Sequence, residues 1–261
     1  MRVPSRSSTA PARRAIVKVL DMRVGVYIDG FNLYYGGRAI FGKGTPNWKW
    51  LDLRALSDRL LSTRARWHGA AIHRVVFCSA RIDAATNQSG QVDQAIYLRA
   101  LEASGSIDHV ELGYYVTRLK QGALARRTRG SSFEHVDLRG AVIPAGRPPT
   151  IVGVAQREEK GSDVNVAAHL LHDALTSAID AAIVISNDSD LAFALRTARM
   201  YLPVGTVNPS PNFMAGALRG TAGDGVGNHW WTQLKDQDFV LCQLSDPVPE
   251  GSVLLRKPIG W

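Results

Sequence analysis

From residue 23 onward, short apolar runs alternate with stretches of helical periodicity, and this alternation restricts the fold more than any other feature of the chain. RVGVYI (23–28), AIHRVVFCSA (71–80), HVELGYYV (109–116), TIVGVAQ (150–156), AAIVIS (181–186) and YLPVGTVN (201–208) read as strands, with FVLCQL (239–244) a late one. LDLRALSDRLLS (51–62), QVDQAIYLRALEAS (91–104), SDVNVAAHLLHDALTSAI (162–179) and DSDLAFALRTAR (188–199) read as the helices between them. In the third helix the expected inward stripe is Val164, Ala167, Ala168, Leu171 and Leu175, which turns His169, His172, Asp173 and Thr176 to solvent and makes a zinc pair of the two histidines unattractive. Strands separated by helices of this length predict a three-layer α/β fold, a mostly parallel central sheet with helices on both faces. Ligands of such sheets bind at the carboxyl ends of the strands.

Charge divides the chain into a mildly acidic core and two basic appendages. Residues 1–20 carry Arg2, Arg6, Arg13, Arg14 and Lys18 and no acid. Residues 118–147 carry Arg118, Lys120, Arg126, Arg127, Arg129, Arg139 and Arg147 against Glu134 and Asp137. With a total of +8, the basic character is concentrated in these two places, a pattern suited to a polyanionic partner. Residues 1–22 are expected to be a disordered basic arm, though the stretch also has a transit-peptide look and Met22 could be a start. Residues 23–210 are expected to form the main domain with a basic insertion at 118–150, and 211–261 an extension packed on it. The two cysteines, Cys78 and Cys242, belong to no metal or redox pair and point to a reducing, cytoplasmic setting. No apolar run reaches the roughly 18–20 residues of a membrane span, so no membrane partner is expected.

Carboxylates fall at three points where strands should end. Asp29 follows VYI and precedes Gly30 with no evident helix to cap; Asp188 and Asp190 follow AAIVIS; Asp163 follows REEKG and Ser162. Asp and Ser are ordinary helix caps, and each site alone reads as one. Several acids converging on one sheet edge repel each other unless a cation lies between them, and an oxygen-only cluster suits Mg²⁺ or Mn²⁺.

VYIDGFNLYYG, then KGSDVNVAAHLL, then AAIVISNDSDLAFAL, in that order, resemble the three signature blocks of the NYN family, a branch of the PIN-like nucleases, in its bacterial form. The resemblance covers residues 23 to about 208 and implies a PIN-like core and a metal-dependent ribonuclease. Mapped onto this chain it implies Asp29, Asn32, Asp163, Asp188 and Asp190 as catalytic groups, with the four aspartates holding the metal. It implies Lys160 and Ser186 at the substrate, and Arg118, Lys120, Arg126, Arg127 and Arg129 are expected to draw in the RNA backbone, with single-stranded DNA as a second candidate. The lesser reading of Lys160 is a solvated loop lysine beside Glu158 and Glu159. Asn187 stands where the family commonly has glycine. Tyr34, Tyr35, Trp48 and Trp50 are candidates for base stacking, a minor one beside their use in the core. Phe31 occupies the place of the second acid of a haloacid dehalogenase, Asp29 stands where Toprim enzymes have glutamate, and no Walker loop is present. The rival reading is a catalytically idle RNA-binding or scaffold protein on the same fold. Oligomeric state is not readable from the sequence.

Overall fold

The computed structural model describes residues 22 to 261, so the arm expected at the N-terminus lies outside the described residues except for Met22. In chain order come β1 (Met22–Asp29), α1 (Gly30–Phe41), α2 (Leu53–Arg64), β2 (Ala70–Ala80), α3 (Ala84–Ala103) and β3 (His109–Ala123). Two short strands, β4 (Ala125–Arg127) and β5 (Phe133–His135), precede β6 (Ile151–Lys160), α4 (Ser162–Leu175) and β7 (Ala181–Ile185). A 3-10 turn (Ser189–Leu191) leads into α5 (Ala192–Arg199), β8 (Val204–Asn208), α6 (Gly216–Arg219), β9 (Trp230–Gln233) and α7 (Asp236–Val240), and the hairpin β10 (Val248–Glu250) and β11 (Val253–Leu255) closes the chain.

Seven strands form the central sheet in the order β6-β3-β2-β1-β7-β8-β9. Every pairing is parallel except β3 with β6. The period-2 alternation of β1 shows how the layers arise. Val24, Val26 and Ile28 enter one core with Leu53, Leu56 and Leu60 of α2 and Leu101 of α3. Tyr27, between them, enters the other with Val166 and Leu170 of α4 and Leu195 of α5. The fold is therefore α/β, with a mostly parallel sheet covered on both faces.

Four local expectations are corrected. FVLCQL is no strand: α7 ends at Val240, Phe239 and Cys242 turn inward at helical spacing, and Val240 and Leu241 are exposed. The seventh strand is instead the polar-looking WWTQ of β9, which pairs with β8 from Gly205↔Trp230 to Asn208↔Gln233. The basic insertion is largely ordered as a ribbon: β3 runs on to Ala123 and pairs with β6 from Tyr114↔Lys160 to Ala123↔Ile151. On α4 the buried edge is Ser162, Val166, Leu170, Asp173 and Ala174, while Val164 and Leu175 are exposed.

The last shift has an electrostatic cause. Asp173, expected in solvent, is 1% exposed and accepts hydrogen bonds from Tyr27 Oη at 2.8 Å and Arg74 Nη1 at 2.8 Å. A carboxylate satisfied by a guanidinium and a phenol can be buried, and it rotates the helix so that His169 faces β3 rather than water.

Candidate functional site

Asp29 ends β1 and caps α1, the helix that the sequence left unrecognised. Its Oδ1 accepts from Asn32 N at 3.0 Å, and its Oδ2 accepts from Asn32 Nδ2 at 2.7 Å and from Ser186 Oγ at 3.0 Å. Asn32 Oδ1 in turn accepts from Asn187 N at 3.2 Å, and Ser186 Oγ from Asp188 N at 3.1 Å. Asn187 continues the chain of bonds by accepting from Ala215 N at 2.8 Å. Asp29 is 2% exposed. Burial pushes its carboxyl above the usual range, the bonds from Asn32 and Ser186 pull it back, and the charge of Asp188 adds a smaller upward push.

The helix α1 escaped notice because Gly36 and Gly37 interrupt its sequence. A Cβ on Gly36 would lie 2.3 Å from the Pro209 carbonyl oxygen, and one on Gly37 would lie 2.5 Å from the Trp48 ring. The two glycines let α1 approach the β8 loop and Trp48 closely, at a cost in helix propensity.

The other residues implied by the resemblance lie around this knot without closing on one point. Asp188 caps the 3-10 turn through Asp190 N at 3.0 Å, Asp190 is exposed, and Asp163 occupies the first turn of α4. Among the described residues, no three of these carboxylates offer oxygens within 4.8 Å of one another. Lys160 Nζ pairs with Glu158 Oε2 at 3.0 Å. On the ribbon and its continuation, Arg118, Lys120, Arg126, Arg127 and Arg129 are exposed, with Lys120 paired to Glu158 and Arg126 to Glu134. Trp50 is a core residue at 1% exposure.

A concavity opens beside this knot, at the carboxyl ends of β1 and β2, where ligands of such sheets bind. It encloses about 640 Å³, and Gly30, Phe77, Ser79 and Ala80 form part of its wall. Phe31, Tyr34, Tyr35 and Arg38 of α1, Trp48, Tyr97 and Asp93 of α3, Tyr115 of β3, Arg157 of β6 and Trp261 complete it. Phe31 stacks with Tyr35 at 6.5 Å and meets Tyr115 edge-on at 6.2 Å. Arg157 is fixed at one rim, its guanidinium 4.1 Å from the Tyr115 ring centroid, 3.4 Å from Asp83 Oδ2, and bonded to Thr86 Oγ1. Arg38, half-buried in the last turn of α1, makes no ion pair among the described residues. The indole N–H of buried Trp48 has no acceptor among them either.

Sequence reasoning missed Arg38, Tyr115 and Arg157, whose only signal was proximity to the first block and to the end of a strand. It also missed a cluster on the opposite face of the sheet. His109 Nε2 lies 3.1 Å and His169 Nε2 3.5 Å from Glu111 Oε2. The hydrogen bond with His109, then that with His169, holds the Glu111 carboxyl below its usual range. The signal was the His-x-Glu spacing of β3, which places both side chains on one face.

No family model matches the chain. A solved structure of a protein of unknown function from Vibrio parahaemolyticus aligns with 84% of this chain and 96% of its own at 15% identity, with a TM-score of 0.41. The 6-hydroxy-3-succinoylpyridine 3-monooxygenase HspA of Pseudomonas putida is 30% identical over 259 residues, covering 92% of this chain and 75% of that protein. A relative named as a monooxygenase, matched over three quarters of its own length, overturns the ribonuclease expectation, and with it the phosphodiester hydrolysis assigned to Asp29, Asn32, Asp163, Asp188 and Asp190. No helix among the described residues is long and apolar enough to cross a membrane. By identity and coverage, the chain belongs to the same protein family as the monooxygenase HspA.

Proposed function

We propose that the chain is an oxidoreductase of the monooxygenase type, acting on a flat hydroxylated N-heteroaromatic ring with a carboxylate-bearing side chain, held in the cleft beside α1. The observation that carries this reading is the make-up of the cleft: aromatic walls for a planar ring, with guanidinium groups at the rim for an anionic tail. Its volume of about 640 Å³ lies within the roughly 300–1,000 Å³ of small-molecule sites. The substrate named for the relative is a hydroxylated pyridine with a succinoyl group, which has this shape and charge.

Each part of the cleft then has a task. Phe31, Tyr35 and Tyr115 flank the ring and exclude water from it. Arg38, with no acid partner among the described residues, takes the carboxylate, while Arg157, anchored by Asp83 and Thr86, fixes the rim against Tyr115. Monooxygenation transfers one atom of O₂ to the substrate and releases the other as water, consuming two electrons and two protons, so a reductant accompanies the ring. In the same reading the NYN-type blocks serve as a PIN-like scaffold: the bonds joining Asp29, Asn32, Ser186 and Asn187 tie α1 to the turn after β7 and so hold one wall of the cleft.

Incubation of the protein with 6-hydroxy-3-succinoylpyridine, reduced nicotinamide and ¹⁸O₂, followed by mass spectrometry, tests the reading. One ¹⁸O atom in the product, absent with Arg38→Ala protein at the same substrate concentration, is the expected result. Absence of oxygen-dependent turnover for this ring and for a panel of hydroxylated pyridine acids would overturn it.

A further inference from the structure

The cluster of His109, Glu111 and His169 lies on the α4 face of the sheet, away from the aromatic cleft, and the proposed reaction makes no use of it. His109 and Glu111 alternate along β3 onto one face, and His169 meets them from the second turn of α4. One donor atom from each lies within 4.8 Å of the other two. The separations from Glu111 Oε2, 3.1 Å to His109 Nε2 and 3.5 Å to His169 Nε2, are hydrogen-bond distances that also match the spacing of ligands around a single ion. Bonds of about 2.0–2.1 Å give neighbouring donors about 3.3 Å apart in a tetrahedron and about 3.0 Å apart in an octahedron. The imidazole rings stand 5.0 Å apart and are tilted by 60° rather than stacked.

We infer that His109, Glu111 and His169 form a binding site for one first-row divalent transition-metal ion of the zinc class, which clamps the start of β3 to α4. Two imidazoles and one carboxylate favour such an ion over Mg²⁺, which prefers oxygen donors. Glu111 has no Lys or Arg partner among the described residues, so its charge is answered only by the two histidines. The clamp falls where β3 is bonded on one side only: β6 begins to pair with β3 at Tyr114, leaving His109 to Gly113 paired to β2 alone. Three protein ligands leave one or more coordination positions, and with His109 and Glu111 each 41% exposed these positions face water.

Untagged, chelator-treated protein titrated with Zn²⁺ by calorimetry, and with Co²⁺ by visible absorption, tests the inference independently of any oxygenase activity. The expected result is one ion per chain, a Co²⁺ spectrum typical of nitrogen and oxygen donors, and a rise in the unfolding temperature on loading. His169→Asn and Glu111→Gln are expected to weaken binding by about tenfold or more, since each removes one of three ligands. His172→Asn, on the exposed side of the same helix, is expected to leave binding unchanged, and millimolar Mg²⁺ to leave it uncompeted. The cluster residues are partly exposed, so circular dichroism of the metal-free variants is expected to match that of the parent. Absence of stoichiometric binding, or binding equally strong in His169→Asn and Glu111→Gln, would overturn the inference.

Discussion

Asp29 shows how far a single residue can be read without its partners. Its sequence context exposes a carboxylate after a buried strand and suggests a cation as counterpart, because no helix is evident behind it. The structure gives it three hydrogen bonds, from Asn32 and Ser186, and the first turn of α1 to cap. Asn32 and Ser186 were named from the sequence, but the bonds that bind them to Asp29 depend on β1 and β7 being neighbours, which spacing along the chain does not reveal. Replacing Asp29 with Ala removes a cap and leaves Asn32 and Ser186 without their acceptor. A loss of about 1–3 kcal/mol of stability is expected, measured by denaturant unfolding. Trp48 is a second residue-scale case, named for stacking yet placed at 3% exposure between Tyr34 and Phe41.

Among the elements, α4 was recognised but turned to the wrong face, because Asp173 counts as polar in any periodicity and yet lies inside. The pair with Arg74 makes the difference, and it also sets how the helix responds to change. Arg74→Ala leaves the Asp173 charge buried with only the phenol of Tyr27 and the His172 ring as partners. A loss of about 3 kcal/mol is expected from thermal or urea unfolding, while Arg74→Met combined with Asp173→Leu is expected to recover most of it. The link between β8 and β9 carries a pH dependence. His229 Nδ1 accepts from Val204 N at 2.9 Å, and its Nε2 donates to the Asp224 carbonyl, so the fold holds the neutral ring. Burial keeps His229 below its ordinary value of 6.5. The unfolded chain takes up a proton near that value and the folded chain does not, so the contribution of His229 is complete above pH 6.5 and is lost as pH falls towards the folded value. Urea midpoints between pH 7.5 and 5 are expected to fall more steeply for the parent than for His229→Gln protein.

At the scale of the whole molecule, alternation of strands and helices was enough to give a mostly parallel sheet covered on both faces and to direct attention to its carboxyl edge. The make-up of the cleft at that edge was not legible. The cleft is assembled from α1, the loop holding Trp48, α3, the ends of β3 and β6, and the terminal Trp261, elements separated by most of the chain. The motif resemblance directed attention to the acids at the rim, whereas Phe31, Tyr34 and Tyr35 stand inside the first block without being singled out by it, and Arg38, Tyr115 and Arg157 lie outside the motifs. The basic ribbon illustrates the same gap between charge and use: Lys120 and Arg126 are matched by Glu158 and Glu134, acids that lie close to them only once the ribbon has formed.

Equilibrium binding of 6-hydroxy-3-succinoylpyridine, followed by the fluorescence of Trp48 and Trp261 in the cleft, tests the central claim most directly because it requires no turnover. Saturable quenching by the parent, weakened about tenfold or more in Arg38→Ala and in Tyr115→Ala, is the predicted outcome. Equal binding by all three proteins, or no saturable response by the parent, would contradict it.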